Sequence, residues 1–387
     1  MSPTEVKTRR YPTGQALMAE AQKESGLSDF GPGDFREGLD VILDSLERDG
    51  DLCPDADARV LHDFRRRLVN RLEVERWYHD HPEVGHVPVH GPIDINGLPR
   101  TGTTALANMM SLDPQFRCLR GWEQSRPVPP PKSGHEATDP RYLAAKAEHD
   151  QLSPEAKALH LWDADATIED TELLGMAFHG QGYTLPVYSY HAWWRHTDMK
   201  PTYEYHRRVV QLLASESPPT LWLFKAPHHM FHLEALAGAY PDIKFVMTHR
   251  DPAKVVPSYV SLVSTVFPPP DGERDMQRLG AEVCEHLRDG MVNTIAERER
   301  VGDHVAVVDV DEFVLADPIG TLRRVYEACG LTCTPAFEKD VLAWQEGNRV
   351  GAHGVHRYTA QEFGLDPAQI RDAYRFYIDR FDVTVEA

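Results

Sequence analysis

The stretch His86 to Pro114, HVPVHGPIDINGLPRTGTTALANMMSLDP, decides the fold of this chain. Its order of apolar, glycine-rich and again apolar residues predicts a strand, a tight turn and a helix. Three further short apolar segments, separated by helical patterns, are predicted as strands: Leu221 to Phe224, Phe245 to Thr248 and Val305 to Val310. Short strands that alternate with helices indicate βαβ units, so the sequence predicts an α/β protein with a central parallel sheet.

The rest of the chain is arranged around this sheet. Residues 1 to about 33 are polar and contain Gly and Pro, which predicts a weakly ordered lead-in. Helical patterns at Asp34 to Arg48 and from Pro54 towards Tyr78 complete an N-terminal helical extension, residues 1–90. Residues 91–387 form the predicted main domain. Within it, a stretch at about 135–217 shows no strand pattern and predicts a helical cap insertion over one end of the sheet.

The overall charge narrows the partners that this chain could bind. There are 41 Lys and Arg against 60 Asp and Glu in 387 residues, a net charge of −19. An acidic surface repels nucleic acids and anionic lipids, so we expect neither as a partner. The five cysteines form no CxxC motif, no apolar segment typical of a signal peptide is present, and no apolar run reaches the roughly 18 residues of a membrane span. These features predict a cytoplasmic protein with reduced thiols and no membrane span.

A phosphate-binding loop is predicted at Gly97 to Thr104, GLPRTGTT, because it follows a strand and opens a helix. Glycines let backbone amides turn towards an anion, and a helix N-terminus adds partial positive charge. The candidate binding residues are Pro99, Arg100, Thr101, Gly102, Thr103 and Thr104. A Walker loop carries Lys after its second glycine, whereas this chain has Thr103 there and its cation at Arg100. The difference disfavours a kinase or ATPase and favours another phosphate-containing donor within a P-loop-type three-layer fold.

A second anion site is predicted after the strand that ends at Thr248. Arg250 follows that strand, Asp251-Pro252 predicts the start of a helix, and Ser258 lies about two turns into it. Arg250 and Ser258 could therefore hold a second phosphate together. The HRD sequence also occurs in protein kinases, but the Asn that kinases carry five residues after the Asp is replaced here by Val256.

Together these motifs resemble those of the sulfotransferases that use 3′-phosphoadenosine 5′-phosphosulfate (PAPS). GLPRTGTT, then LFKAPHHM after about 125 residues, then FVMTHRDPAKVVPSYVSL match that family in order, spacing and strand context. Bacterial sulfotransferases with a GLPRTGTT loop are the most similar group, and the N-terminal helices and the C-terminal HGVHRYTAQEFGLD extend the resemblance to roughly residues 34–382. The resemblance implies that the first loop binds the 5′-phosphosulfate and that Arg250 and Ser258 bind the 3′-phosphate.

The resemblance also implies which residues carry the chemistry. Arg100 and Lys225 would neutralise the leaving group. Lys225 resembles a lysine that contacts the sulfuryl region in several family members. The other interpretation of Lys225 is an ordinary surface ammonium at a strand end. Two kinds of base compete. Glu123 is placed similarly to the catalytic Glu of the tyrosylprotein sulfotransferases, and His228 or His229 similarly to the base His of the cytosolic ones. Glu123 is favoured because the loop type matches the Glu-using branch.

Three further features bear on the predicted site. The C-terminal loop resembles the basic loop that sulfotransferases fold over the nucleotide, although a merely exposed loop is the alternative; its candidates are Arg349, His353 and Arg357. Aromatic residues of the insertion either suit an apolar or aromatic acceptor or pack the cap against the sheet: Tyr183, Tyr188, Tyr190, Trp193 and Trp194. His228 and His232 have an HxxxH spacing without a carboxylate partner, so no metal is expected.

The sequence therefore predicts a sulfotransferase that moves the sulfuryl group of PAPS to a hydroxyl of a small acceptor, an apolar or aromatic alcohol or phenol, by in-line displacement. One alternative is a P-loop nucleotide-binding protein without transfer activity. The other is a kinase-like phosphotransferase, which Thr103 disfavours. The sequence leaves the oligomeric state open.

Overall fold

A five-stranded parallel sheet forms the centre of the protein. The computed structural model describes residues 9–151, 169–180, 184–311, 316–348 and 358–386. The strands are β1 (Ile93–Gly97), β2 (Phe116–Cys118), β3 (Leu221–Lys225), β4 (Lys244–Thr248) and β5 (Val307–Val310). They lie in the order β2-β3-β1-β4-β5, and all neighbours are parallel. The predicted α/β fold with a parallel sheet is confirmed, and the three-residue strand β2 is an element that the sequence pattern did not predict.

Helices surround this sheet. Before β1 lie α1 (Gly14–Ser25), α2 (Phe35–Asp49) and α3 (Pro54–Asp80). Between β1 and β3 lie α4 (Thr103–Met110), α5 (Gly121–Ser125), α6 (Pro140–Gln151), α7 (Thr171–Gly175), α8 (Tyr188–Trp194) and α9 (Lys200–Ala214). After β3 a 3₁₀ turn (Pro227–His232) leads into α10 (Leu233–Ala239). The remaining helices are α11 (Pro252–Val266), α12 (Met276–Val301), α13 (Pro318–Ala328), α14 (Pro335–Gly347), α15 (Pro367–Ala373) and α16 (Arg375–Phe381).

The N-terminal segment differs from the predicted weakly ordered lead-in, because α1 is a capped helix that packs against α3. The hydroxyl of Thr13 accepts a hydrogen bond from the amide of Ala16 at 3.2 Å, and Gly26 ends the helix in the left-handed region at φ 72°. Leu17 and Ala21 of α1 are buried in the core. The segment is ordered because these few apolar residues reach the core despite a polar composition.

The sheet buries both of its faces. Ile95 and Leu223 pack into a core with apolar residues of α4, α13 and α14. Phe224 and Met247 point into the larger core, which includes residues of α9 to α12. Because side chains alternate along a strand, the same short strands support helices on both sides, which gives the predicted three-layer arrangement.

The described residues between β2 and β3 form helices and connecting loops, as the predicted cap insertion requires. Tyr190 and Trp194 of α8 are buried, and the Tyr190 hydroxyl donates to the carbonyl of Phe178 at 2.8 Å. These two aromatic residues therefore pack the cap, while Tyr183 lies outside the described residues. The boundaries proposed at 90, 135 and 217 stay predictions.

Two further observations concern the whole described part of the chain. None of its helices combines the length and apolarity that crossing a membrane would take. All five cysteines lie among the described residues, and none of them forms a disulfide.

Candidate donor and acceptor site

The predicted phosphate loop lies at the carboxyl end of β1, in the middle of the sheet. Gly97 has φ 119°, and a Cβ there would approach the carbonyl oxygen of Thr248 on β4 to 2.5 Å. Gly102, at φ 100°, caps α4. Arg100 between them also adopts a left-handed conformation, at φ 67°, which is unusual for a residue with a side chain. The turn directs the N-terminus of α4 and the Arg100 side chain to the same edge of the sheet, where ligands bind in open α/β folds.

The structure brings the two predicted phosphate motifs into contact. Nε of Arg100 donates to the hydroxyl of Ser258 on α11 at 3.1 Å. Nη1 of Arg250 donates to the backbone carbonyl of Arg100 at 3.3 Å. Residues that are about 150 positions apart in the sequence thus converge on one surface. Two guanidinium groups and a hydroxyl at this surface suit an anion with more than one phosphate.

The threonines of the loop differ in their surroundings. The Thr101 hydroxyl is buried, donates to the carbonyl of Leu98 at 2.6 Å and contacts the hydroxyl of Thr248. It therefore stabilises the turn. Thr103 is buried and Thr104 is exposed, both in the first turn of α4. Their amides belong to the helix end that has no carbonyl partners of its own, which is the part of a helix that binds anions.

Arg250 is positioned by the segment around it. Asp251 caps α11 through the amide of Ala253 at 2.9 Å, as predicted from the Asp-Pro pair. The Arg250 guanidinium forms two hydrogen bonds with the carboxylate of Glu386, at 2.7 and 3.1 Å. The backbone amide of Glu386 in turn donates to Asp251 at 3.0 Å. A carboxylate of the C-terminal segment thus contacts Arg250, the residue predicted to bind the 3′-phosphate.

Lys225 ends β3 and is almost completely buried. Its ammonium lies 3.1 Å from a carboxylate oxygen of Glu169, and its backbone amide donates to Asp170 at 3.2 Å. Both acidic residues directly precede α7 in the insertion. Partial burial raises the pKa of the Glu169 carboxyl, but the positive charge of Lys225 outweighs this effect and holds that pKa below its usual value. The strand end therefore carries a cation and a carboxylate, not the surface ammonium of the alternative interpretation.

His229 lies behind Lys225 in the interior. Its Nδ1 is 2.7 Å from the Asp94 carboxylate on β1, and its Nε2 is 3.8 Å from that of Asp170. Burial favours the neutral imidazole, but the two carboxylates outweigh it and raise the pKa of His229. These contacts of His229 join β1, the end of β3 and the insertion.

The His228 side chain lies in a group of buried rings around Trp194. The centroid of its ring lies 6.0 Å from that of Trp194, and those of His232 and His286 lie at 4.8 and 6.1 Å. Burial among other histidines lowers the pKa of His228 to about 4 and that of His232 to about 3. Within the described ranges, no group of three or more His, Cys, Asp or Glu residues is placed to hold a metal ion.

Glu123 is buried in α5, beside the edge strand β2. One of its oxygens accepts from Arg117 at 2.7 Å, and the other accepts from the backbone amide of Arg120 at 3.1 Å. Arg117 also donates to the carbonyls of Leu213 and Ser217, both at 2.7 Å. Both Glu123 oxygens therefore serve contacts that join β2, α5 and the end of α9.

Some of the site escaped prediction, and some falls outside the described residues. Arg349, His353 and Arg357, the predicted C-terminal loop residues, lie in the undescribed range 349–357. The sequence reasoning did not identify Glu169, Asp170 or Glu386. It also overlooked Asp94, for which a signal existed, because a carboxylate in a strand predicted to be buried needs a charged or hydrogen-bonding partner.

Comparison with known proteins places these features in a family. A model of the sulfotransferase family matches residues 92–335, which include β1 to β5 and both phosphate motifs. Two curated relatives, omega-hydroxy-beta-dihydromenaquinone-9 sulfotransferases Stf3 of Mycobacterium bovis and Mycobacterium tuberculosis, are each 29% identical over 117 residues. The match covers 28% of this chain and 28% of each relative's length.

Solved structures show a similarity over nearly the whole chain. Sulfotransferase STF9 from Mycobacterium avium superimposes with a TM-score of 0.86 at 29% identity, covering 98% of this chain and 100% of that one. Sulfotransferase STF1 from Mycobacterium tuberculosis gives 0.83 at 29% identity, covering 95% and 99%. With the family match spanning the sheet and its anion-binding loops, the chain belongs to the sulfotransferase family.

Proposed function

We propose that this protein transfers the sulfuryl group of PAPS to the hydroxyl of a small acceptor. The observation that carries the proposal is the contact between Arg100 and Ser258, with Arg250 donating to the Arg100 carbonyl. It joins a loop suited to a phosphosulfate with a pair suited to a second phosphate. PAPS has both groups on one nucleotide, whereas ATP has a single chain of phosphates.

In this proposal each part of the edge has a separate task. The loop from Pro99 to Thr104 and the α4 N-terminus hold the 5′-phosphosulfate, while Arg250 and Ser258 hold the 3′-phosphate. During in-line displacement, negative charge builds up on the phosphate oxygen that leaves the sulfur. The Arg100 guanidinium and the Lys225 ammonium neutralise that charge, so the chain itself supplies the electrostatic stabilisation. Arg349, His353 and Arg357 are proposed to cover the nucleotide.

The acceptor is proposed to be an alcohol or phenol on an apolar body. The name of the Stf3 relatives describes a hydroxylated dihydromenaquinone, which is an apolar molecule with a hydroxyl group. Trp193 of α8, in the cap insertion, is only partly buried, unlike Tyr190 and Trp194, and is proposed to contact that apolar body. A cytoplasmic location is part of the proposal, since PAPS is a nucleotide donor and the cysteines form no disulfide.

Ligand-dependent thermal unfolding tests the donor. We expect adenosine 3′,5′-bisphosphate to raise the melting temperature and 5′-AMP to raise it far less, because a charge-assisted hydrogen bond contributes roughly 1.5–3 kcal/mol. ATP and GTP serve as the comparison for a kinase-like protein. Equal stabilisation by adenosine 3′,5′-bisphosphate and 5′-AMP would contradict the proposed role of Arg250 and Ser258.

Transfer itself separates an enzyme from a nucleotide-binding protein. PAPS labelled with ³⁵S is incubated with a panel of long-chain alcohols, prenyl alcohols and phenols, and labelled organic product is extracted. Sulfated product that requires the protein supports the proposal. Binding of the bisphosphate without any transfer across the panel would favour the binding protein.

A further inference from the structure

In the described part of the chain, the predicted sulfuryl-binding lysine, Lys225, forms an ion pair with the carboxylate of Glu169, 3.1 Å from Lys225 Nζ. Glu123 pairs with Arg117 and His229 with Asp94 instead. Because Lys225 is the cation proposed to contact the sulfuryl group, a base beside it is within reach of an acceptor oxygen that approaches the sulfur. Glu169 therefore has the position that the reaction requires of a base.

Exposure separates the candidates further. The acceptor must enter from solvent, so the base must be open to it. The side chain of Glu169 is 35% exposed, whereas those of Glu123 and His229 are 2% and 0% exposed and His228 as a residue is 8% exposed. Glu169 thus combines contact with a buried lysine and access from outside.

Two hydrogen bonds hold Glu169 and Asp170 in place, as a base needs. The side-chain amide of Gln124 donates to the Glu169 carbonyl at 3.2 Å, and the Asp170 carboxylate accepts from the Lys225 amide at 3.2 Å. Glu169 is therefore held at the end of β3, beside Lys225.

We propose that Glu169 is the catalytic base that accepts the proton of the acceptor hydroxyl. The proton passes to a Glu169 carboxylate oxygen as the acceptor oxygen forms its bond to sulfur. The bond from sulfur to the 5′-phosphate oxygen breaks, and adenosine 3′,5′-bisphosphate leaves with that electron pair. When Lys225 turns to the sulfuryl group, Glu169 loses its ion-pair partner and becomes more basic. This inference rests on the proposed function.

The variant Glu169→Gln tests the assignment, with Glu169→Asp as the conservative change. Glu338→Gln is the matched control, because Glu338 also pairs with a cation, Arg323 at 2.6 Å, on α14 away from the site. Single-turnover transfer is measured with a prenyl alcohol and with a nitrophenol that is already ionised at the assay pH. We expect Glu169→Gln to lose on the order of 10²–10⁴-fold with the alcohol, far less with the nitrophenol, and Glu169→Asp to recover part of the alcohol rate.

The readouts distinguish failure of the inference from failure of the proposed function. If the wild-type protein neither binds adenosine 3′,5′-bisphosphate nor transfers sulfate, the proposed function is wrong. If the wild-type protein transfers and Glu169→Gln matches it with the alcohol, Glu169 is not the base. An equal loss with both acceptors would show that Glu169 only positions Lys225 and would overturn the assignment. Melting temperatures and bisphosphate affinities close to wild type establish that a loss of transfer is not a loss of folding.

Discussion

The guanidinium of Arg250 and the carboxylate of Glu386 form a two-bonded ion pair, with N–O distances of 2.7 and 3.1 Å. Arg250 is the residue proposed to bind the 3′-phosphate of the donor. A carboxylate in this position presents two oxygens to the same nitrogens that a phosphate would use. We therefore expect the C-terminal segment to compete with a bound nucleotide for Arg250.

The first prediction follows from this competition. Glu386→Gln removes the negative charge while its backbone amide still donates to Asp251. Since a partly exposed ion pair contributes about 0.2–1 kcal/mol, we expect adenosine 3′,5′-bisphosphate to bind up to about fivefold more tightly. Calorimetric titration measures the change, and 5′-AMP, which has no 3′-phosphate, should show none. A weaker bisphosphate complex would show that Glu386 does not compete with the nucleotide.

The second prediction concerns Arg100. Arg100→Ala removes the guanidinium from the phosphate loop and leaves Ser258 without this contact. Losing one such group that stabilises charge typically costs on the order of 10²–10³ in rate, and we expect little change in the melting temperature because Arg100 is exposed. Arg100→Lys is the control, since it keeps a positive charge in the loop, and it should retain much of the activity. Near-normal transfer by Arg100→Ala would remove Arg100 from the proposed site.

The third prediction separates Glu123 from Glu169. Glu123 accepts from the Arg117 side chain and the Arg120 amide, so Glu123→Gln leaves the partly buried Arg117 guanidinium with a weaker partner. We expect this variant to lose about 1–3 kcal/mol of unfolding free energy, measured by chemical denaturation. Its transfer rate per folded molecule should stay close to wild type, in contrast to Glu169→Gln. A large loss of transfer with unchanged stability would instead support Glu123 as the base, the assignment favoured by the sequence.

His228 and His229, the other two candidate bases, are tested alongside. His228→Asn and His229→Asn are measured in the same single-turnover assay. Because His229 contacts the Asp94 carboxylate at 2.7 Å in the interior, we expect its variant to lower the melting temperature markedly. A selective loss of transfer in either variant at normal stability would assign the base to the cytosolic pattern.

The fourth prediction is a pH dependence of stability. Burial lowers the pKa values of His191 and His232 to about 3 and that of His228 to about 4. In the unfolded chain these three histidines bind protons below a pKa of about 6.5, whereas in the folded chain they stay neutral down to about pH 4. The unfolding free energy therefore falls as the pH drops from 7 to 5. The expected loss is roughly 1–2 kcal/mol for each of these histidines.

Denaturant titrations at pH 7 and pH 5 measure this loss. His232→Phe, which places a ring that cannot be protonated beside Trp194, should reduce the difference between the two pH values. His79→Gln is the control, because His79 is 81% exposed. If the unfolding free energy is the same at both pH values, the buried histidines are not neutral in the folded protein.

The sequence predicted the parts of the structure that depend on local patterns. Helices α2 and α3, strand β3 and the loop before α4 lie where periodicity and glycine spacing indicate. Strand β2 was missed because three residues are too few to show a period, and α1 because its burial depends on α3. Local propensity is a weak guide where tertiary contacts decide.

In the candidate site, too, the residues with a local sequence pattern were predicted and those defined by tertiary contacts were not. Contiguous motifs identified Arg100, Arg250 and Ser258, whose approach the structure then shows. The partner of Lys225 is 56 residues away in the chain, and that of Arg250 is 136 away. Such pairs have no spacing rule, so only the folded chain reveals them.

The attachment of Asp170 to the end of β3 has a consequence for the diversity of related enzymes. The residues proposed to bind the sulfuryl donor follow β1 and β4. In contrast, Glu169 and the α8 aromatic residues belong to one continuous stretch between β2 and β3. Related enzymes can therefore differ in that stretch, and with it in the alcohol that they accept, while the residues that bind the nucleotide stay the same. A chimera that exchanges residues 119–220 with those of a related sulfotransferase would carry the alcohol preference of its new parent, provided that an acidic pair again precedes α7.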